Sequence, residues 1–172
     1  MKIIRTFTVL AALLACSLEA LGAPLKAHII SGSKEYGSEK SLKEFAVYLG
    51  KKGVECSASW AQDNGTSLPN AVAVPAADLL IVFTRRMKLP EEQMQLVRAH
   101  WEAGKPVIGI RTASHAWGEK GSADNLTFDH QVLGNHYQGH YGDEKVAVTN
   151  VPAQSAHPVL KGVEAFASRK LY

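Results

Sequence analysis

The stretch Ala77-Asp-Leu-Leu-Ile-Val-Phe83 contains a single polar side chain. A strand with one wet face would alternate polar and apolar residues, so an unbroken run of this length predicts a strand covered on both faces, as in a parallel sheet flanked by helices. The chain on either side agrees. Downstream, Pro90-Glu-Glu92 has the proline and acidic residues of a helix start. Met94, Val97 and Trp101 then recur at helical spacing and Gly104 ends the helix. The next strand is Pro106–Ile110. Upstream, Leu25–Ile30 reads as a strand and Ser31–Tyr36 as a polar loop. Ser41-Leu-Lys-Glu44 has capping-box spacing for a helix that starts there or as early as Ser38. Leu42, Phe45, Ala46 and Leu49 form its apolar stripe, Gly50 or Gly53 stops it, and Val54–Trp60 is the following strand before a loop over 62–70. Strand and helix alternate, which predicts a doubly wound α/β domain with a mostly parallel sheet, of the flavodoxin-like type.

The first residues are read separately. Lys2 and Arg5 precede an apolar stretch from Phe7 to Cys16, and small residues follow up to Ala23 and Pro24. This is the order of a secretory signal, too short to span a membrane, with cleavage expected after Ala23. Leu13-Leu-Ala-Cys16 offers the alternative of a lipoprotein signal. The expected location is therefore periplasmic or secreted, with residues 24–172 forming one domain of about 150 residues. If Cys16 leaves with the signal, Cys56 stands alone as a small apolar strand residue and no internal disulfide forms.

A formal net charge of +3, without a basic cluster interleaved with aromatics, excludes nucleic acid as an expected partner. No second apolar run is long enough to span a bilayer. In doubly wound sheets ligands sit beyond the carboxyl ends of the strands. That rule selects three loops, Ser31–Tyr36, Thr84–Lys88 and Arg111–Trp117. The last two bring Arg85, Arg86 and Arg111 together if their strands are neighbours, a set of forked donors suited to an anion or to sugar hydroxyls. The alternative for Arg85 and Arg86 is pairing with Glu91 and Glu92.

In Lys105-Pro-Val-Ile-Gly-Ile-Arg-Thr-Ala-Ser-His-Ala-Trp117, the combination of Pro106, Gly109 and Ile110 resembles the strand before the catalytic cysteine of class I glutamine amidotransferases. Arg111 stands where that thiol would be. A guanidinium cannot attack an amide carbon, so glutaminase chemistry is not expected. Ala77-Asp-Leu-Leu80, Leu133-Gly-Asn-His-Tyr-Gln-Gly-His140 and His157-Pro-Val159 resemble the trehalose-utilisation (ThuA-like) family, with the likeness running from about Ala27 to the end of the chain. This resemblance implies the amidotransferase-like fold without its triad and a link to carbohydrate metabolism, with a sugar or glycoside as the small-molecule partner. Members usually carry His at the elbow and continue past the His-Pro segment. The likeness thus implies an Arg-bearing subgroup and a chain incomplete at its C-terminus, with an exposed edge and uncovered apolar surface.

Seven histidines are present, five of them after the elbow. Imidazole can ligate zinc, act as a general base or bond a sugar hydroxyl. His115 and His140 are the candidate acid/base groups, expected in one pocket with Arg111, and Ser114 and Tyr137 are candidate substrate contacts beside Arg111, Arg85 and Arg86. A divalent metal such as zinc is the cofactor these rings would hold, with His136 and His140 as ligands and His115 or His130 as a third. Glycines 134, 139 and 142 place that segment in a loop. Ser114 lacks the flanking glycines of a hydrolase elbow, and its adjacency to His115 is expected to point the two side chains apart; Asp129 or Asp143 would be the acid of such a set. His28 reads as a sheet histidine. Two readings follow, an exported enzyme acting on a sugar derivative and a non-catalytic carbohydrate-binding module.

Overall fold

The computed structural model describes residues 22–33, 36–119, 121–134, 136–139 and 144–168. The segment read as an export signal therefore lies outside the described residues up to Leu21. Four strands, β1 (Lys26–Gly32), β2 (Glu55–Trp60), β3 (Leu79–Thr84) and β4 (Val107–Gly109), form a parallel sheet in the order β2-β1-β3-β4. Helix α1 (Ser38–Gly50) links β1 to β2, and α2 (Glu91–Glu102) links β3 to β4. The doubly wound α/β fold is the one expected.

Side-chain alternation explains why both faces carry a helix. From β1 and β3, Ala27, Ile29, Ile81 and Phe83 point to one face and pack with Leu42, Phe45, Ala46 and Leu49 of α1. Ile30, Leu80 and Val82 point to the other, where Met94 and Val97 of α2 meet them together with Trp117 and Phe128. Each strand is apolar on both sides, and each helix removes one side from water at roughly 25 cal/mol per Å² of apolar area. Trp117 and Phe128 are fully buried and meet edge to face at 5.9 Å.

Boundaries differ in instructive places. Helix α1 begins at Ser38, the earlier of its two expected starts, so Ser41 lies inside it and bonds the Ser38 carbonyl rather than capping. Pro90 is the residue before α2 rather than its first, and Glu91 pairs with Arg98 instead of Arg85 or Arg86. Cys56 is exposed on β2, not packed. After β4 the chain forms a 3-10 turn (Arg111–His115) and a short helix α3 (Ala123–Thr127), which widens into a π-turn over Phe128–Val132. Strands β5 (Val146–Val148) and β6 (Phe166–Ser168) pair antiparallel in a separate two-stranded sheet. Among the described residues β4 is an outermost strand of the main sheet, and its Ile108 is 47% exposed. No helix among them is long and apolar enough to cross a membrane.

His28 lies in β1 at the centre of this sheet, fully buried. Its Nδ1 and Nε2 meet the hydroxyls of Ser57 and Ser59 on β2 at 2.8 and 2.9 Å. Burial, with the nearby His100 ring as a second cause, pushes its pKa down to about 4. A depressed histidine contributes stability that is present above the unfolded value of 6.5 and is lost as pH falls towards about 4. Urea unfolding at pH 7 and pH 4.5 should therefore show a loss of about 2–3 kcal/mol attributable to this ring. His28→Gln, which cannot titrate, should lose that much less over the same interval. Equal losses in both proteins would remove His28 as the cause.

Candidate functional site

The loops after β1, β3 and β4 meet at one end of the sheet. Two of them are fastened together: Arg86 and Met87 donate their N–H groups to the carbonyls of His115 and Ala116, both at 2.8 Å. Thr112 Oγ1 donates to the Thr84 carbonyl at 2.6 Å. The chain leaves β4 in extended conformation at Ile110 and turns abruptly at Arg111, whose φ is +49°. For a residue with a Cβ this left-handed conformation costs on the order of 1–2 kcal/mol. A sharp strand-to-helix turn with a strained first residue is the geometry that presents a side chain above a sheet edge in nucleophile elbows. Here it presents a guanidinium, whose Cζ sits 4.1 Å from the Tyr36 ring centroid, and Tyr36 in turn stacks on Phe83 at 6.5 Å. The cation–π contact returns about 0.5–1 kcal/mol at such a site.

The other arginines part company. Arg85 lines a crevice of about 540 Å³ beyond the ends of β1 and β3, together with Ser31–Ser33, Gly37 and Ser38. Arg86 also has a φ of +49° and its charge is felt by Glu119, whose carboxyl is held below its usual range chiefly by its hydrogen bond to Lys88. Arg85 thus lies at the β1/β3 crevice, and Arg111 lies on the ring of Tyr36, next in sequence to Gly37 of that crevice.

His115 is buried, with its ring stacked on Tyr137 at 4.5 Å. Contrary to the expectation from adjacency, Ser114 Oγ lies 3.2 Å from His115 Nδ1. Asp129 does not serve that pair. Its Oδ2 accepts from the Tyr137 N–H at 3.1 Å and lies 3.2 Å from His136 Nδ1, while its Oδ1 is buried without a partner. His130 stacks on His136 at 5.2 Å. A carboxylate on Nδ1 fixes the imidazole tautomer and leaves the lone pair on Nε2, the arrangement of a ligating or basic histidine. Among the described residues no three His, Cys, Asp or Glu side chains are placed to hold a metal ion. His140 and Asp143 lie outside the described residues.

Asp129 was singled out in the sequence only as an acid for Ser114 and His115. Its own signal, an Asp seven residues before a histidine across a short helix and turn, is not a recognisable motif. Its carboxyl is raised above the usual range, first by burial, with the Tyr137 amide and His136 working against the rise. A raised carboxyl binds its proton more tightly in the folded state. Its contribution to stability is full below the ordinary value of 3.8 and is lost as pH rises through the folded one. The unfolding free energy of the wild type, minus that of Asp129→Asn, should accordingly shrink between pH 4 and pH 7. A difference that stays flat or grows would show that the buried carboxyl carries no such penalty.

Comparison of the chain with protein-family models, with curated proteins and with solved structures gives no match.

Proposed function

We propose that this chain is an exported, ThuA-like, carbohydrate-linked protein that binds a sugar or glycoside at the carboxyl edge of its sheet and has no glutaminase activity. The observation that carries the reading is Arg111: a strained arginine at the end of β4, laid on an aromatic ring. Strain of this kind persists where the surrounding structure holds a side chain in place, and it gathers at binding and catalytic sites. A guanidinium offers several donors in one plane to vicinal hydroxyls, and the Tyr137 ring, stacked on His115, is the candidate aromatic face for the C–H side of a sugar ring. Ser114 and the buried His115 complete the polar lining of the elbow.

The enzyme form of this reading is favoured by the Asp129–His136 contact, a carboxylate-oriented imidazole of the kind that moves protons in catalysis. In that form His115 and His136 are the acid/base candidates; if zinc were bound instead, the Nε2 of His136 would be one ligand and His140 another, and the acid/base work would fall to His115.

Three measurements test the proposal. A panel of mono- and disaccharides at millimolar concentration should raise the thermal midpoint of the wild type. Arg111→Gly, which relieves the positive φ, should unfold at the same or a higher temperature without sugar yet lose the sugar-dependent shift. The proposal fails if no sugar shifts the wild type, or if Arg111→Gly responds as the wild type does. Release of a product from the sugar by the wild type would select the enzyme form. Mass spectrometry of the protein recovered from the exporting host should place Pro24 at the N-terminus, and a chain retaining Met1, or a lipid on Cys16, would contradict cleavage after Ala23.

A further inference from the structure

We propose that the crevice beyond the carboxyl ends of β1 and β3 is an oxyanion site, built to take the phosphate, sulfate or carboxylate group of a small ligand. The position is the point where the chain reverses its direction of winding. From β1 the sheet extends to β2 on one side and to β3 on the other, so the loops after β1 and β3 diverge and leave a gap between them. The gap measures about 540 Å³, within the range of small-molecule sites and larger than a bare inorganic anion needs.

Three features on its wall point to negative charge. Helix α1 starts there with thirteen residues behind it, and the residue before it, Gly37, is left-handed at φ +59° and brings no side-chain cap. A Cβ built on Gly37 would meet nothing within 4 Å, so the crevice is open at that residue. The positive end of the helix dipole lies here, although the Ser38 N–H already donates to the Ser33 carbonyl at 3.3 Å and the Lys40 N–H to that of Gly37 at 3.1 Å. Arg85 lines the β3 side, where its guanidinium, which makes other interactions as well, has several N–H donors.

The third feature is Ser33. Hydroxyl accounting around the β1 loop shows that it is the group left over. Ser38 Oγ donates to the Ser33 carbonyl at 3.0 Å and accepts from the Ser33 N–H, also at 3.0 Å. Its remaining lone pair takes the Ser31 hydroxyl at 2.8 Å. Ser31 and Ser38 therefore satisfy one another and pin the loop to the helix. Ser33 is 2% exposed, lines the crevice, and has an Oγ with no partner. A buried hydroxyl left unpaired costs stability that an alanine would not. One χ1 rotation moves it between staggered positions, so an oxygen of a bound anion can complete it. Among the described residues that line the crevice the acidic one is Glu39, which forms an exposed ion pair with Lys43 at 2.6 Å.

This inference does not rest on the sugar reading, and its test uses anions first. Isothermal titration of the wild type with inorganic phosphate at constant ionic strength should show saturable binding. Glucose 6-phosphate should bind more tightly than phosphate if the rest of the crevice takes the remainder of a ligand, whereas equal affinities would assign the site to the free anion. Ser33→Ala should weaken phosphate binding about tenfold while unfolding no earlier than the wild type in anion-free buffer. Arg85→Gln should weaken it by at least about tenfold, and Glu39→Gln should tighten it a few-fold by removing a like charge. Absence of saturable phosphate or sulfate binding would overturn the proposal. So would wild-type affinity in both Ser33→Ala and Arg85→Gln, or a Ser33→Ala protein that unfolds earlier without anion, since the hydroxyl would then be a structural group.

Discussion

Strand β1 is hydrogen-bonded on both sides, to β2 and to β3, and is buried on both faces. Everything else follows from satisfying that strand. Parallel neighbours require crossover connections, and crossovers long enough to return to the same end of the sheet are made as helices. With one neighbour reached through α1 and the strands beyond reached through α2, the two helices lie on opposite faces, and the two core clusters divide along the alternation of β1 and β3. The polar residue admitted to the middle of this strand, His28, is kept neutral between two serine hydroxyls, which is the condition under which an imidazole can be buried there.

The same constraint decides where function can sit. At the amino end of the sheet side-chain bonds tie the connections to the strands: Lys105 Nζ donates to the carbonyls of Pro75 and Ala77, and the Lys26 N–H donates to Asp78, beside a crevice of about 240 Å³. At the carboxyl end the loops diverge, and several local costs gather there. Arg86 and Arg111 both adopt positive φ, Ser33 has an unpartnered hydroxyl, and Asp129 buries an unpartnered carboxylate oxygen. Each costs on the order of 1–3 kcal/mol in a domain whose net stability is expected to be about 5–15 kcal/mol. Their concentration on one edge of the sheet supports reading that edge as the working surface.

The sheet was legible in the sequence because burial on both faces leaves an apolar run that periodicity cannot imitate. The Leu79–Thr84 strand and the helices around Leu42 and Val97 lie within two or three residues of their expected positions. Arg111 was legible as an elbow residue through Pro106, Gly109 and Ile110. At Gly109 a side chain would press on Leu133 and Ala113, which gives that glycine a steric reason. What escaped the sequence depends on contacts distant along the chain. Ser33 is one serine among several until the mutual pairing of Ser31 and Ser38 is seen, and Asp129 reveals its partner only once the π-turn and the following loop carry His136 back to it. The capping-box spacing at Ser41 left two starts open because three-residue spacing recurs throughout a helix, and the helix takes the earlier one, Ser38.

The most direct test of the account is an amide chemical-shift map of the folded protein titrated with a phosphorylated sugar. The account predicts saturable shifts confined to the carboxyl edge of the sheet, over Ser31–Ser33 and Gly37–Glu39 after β1, Thr84–Met87 after β3, and Arg111–Ala116 after β4. Shifts confined instead to the outer faces of α1 and α2 or to β5 and β6, or the absence of any saturable shift, would contradict it.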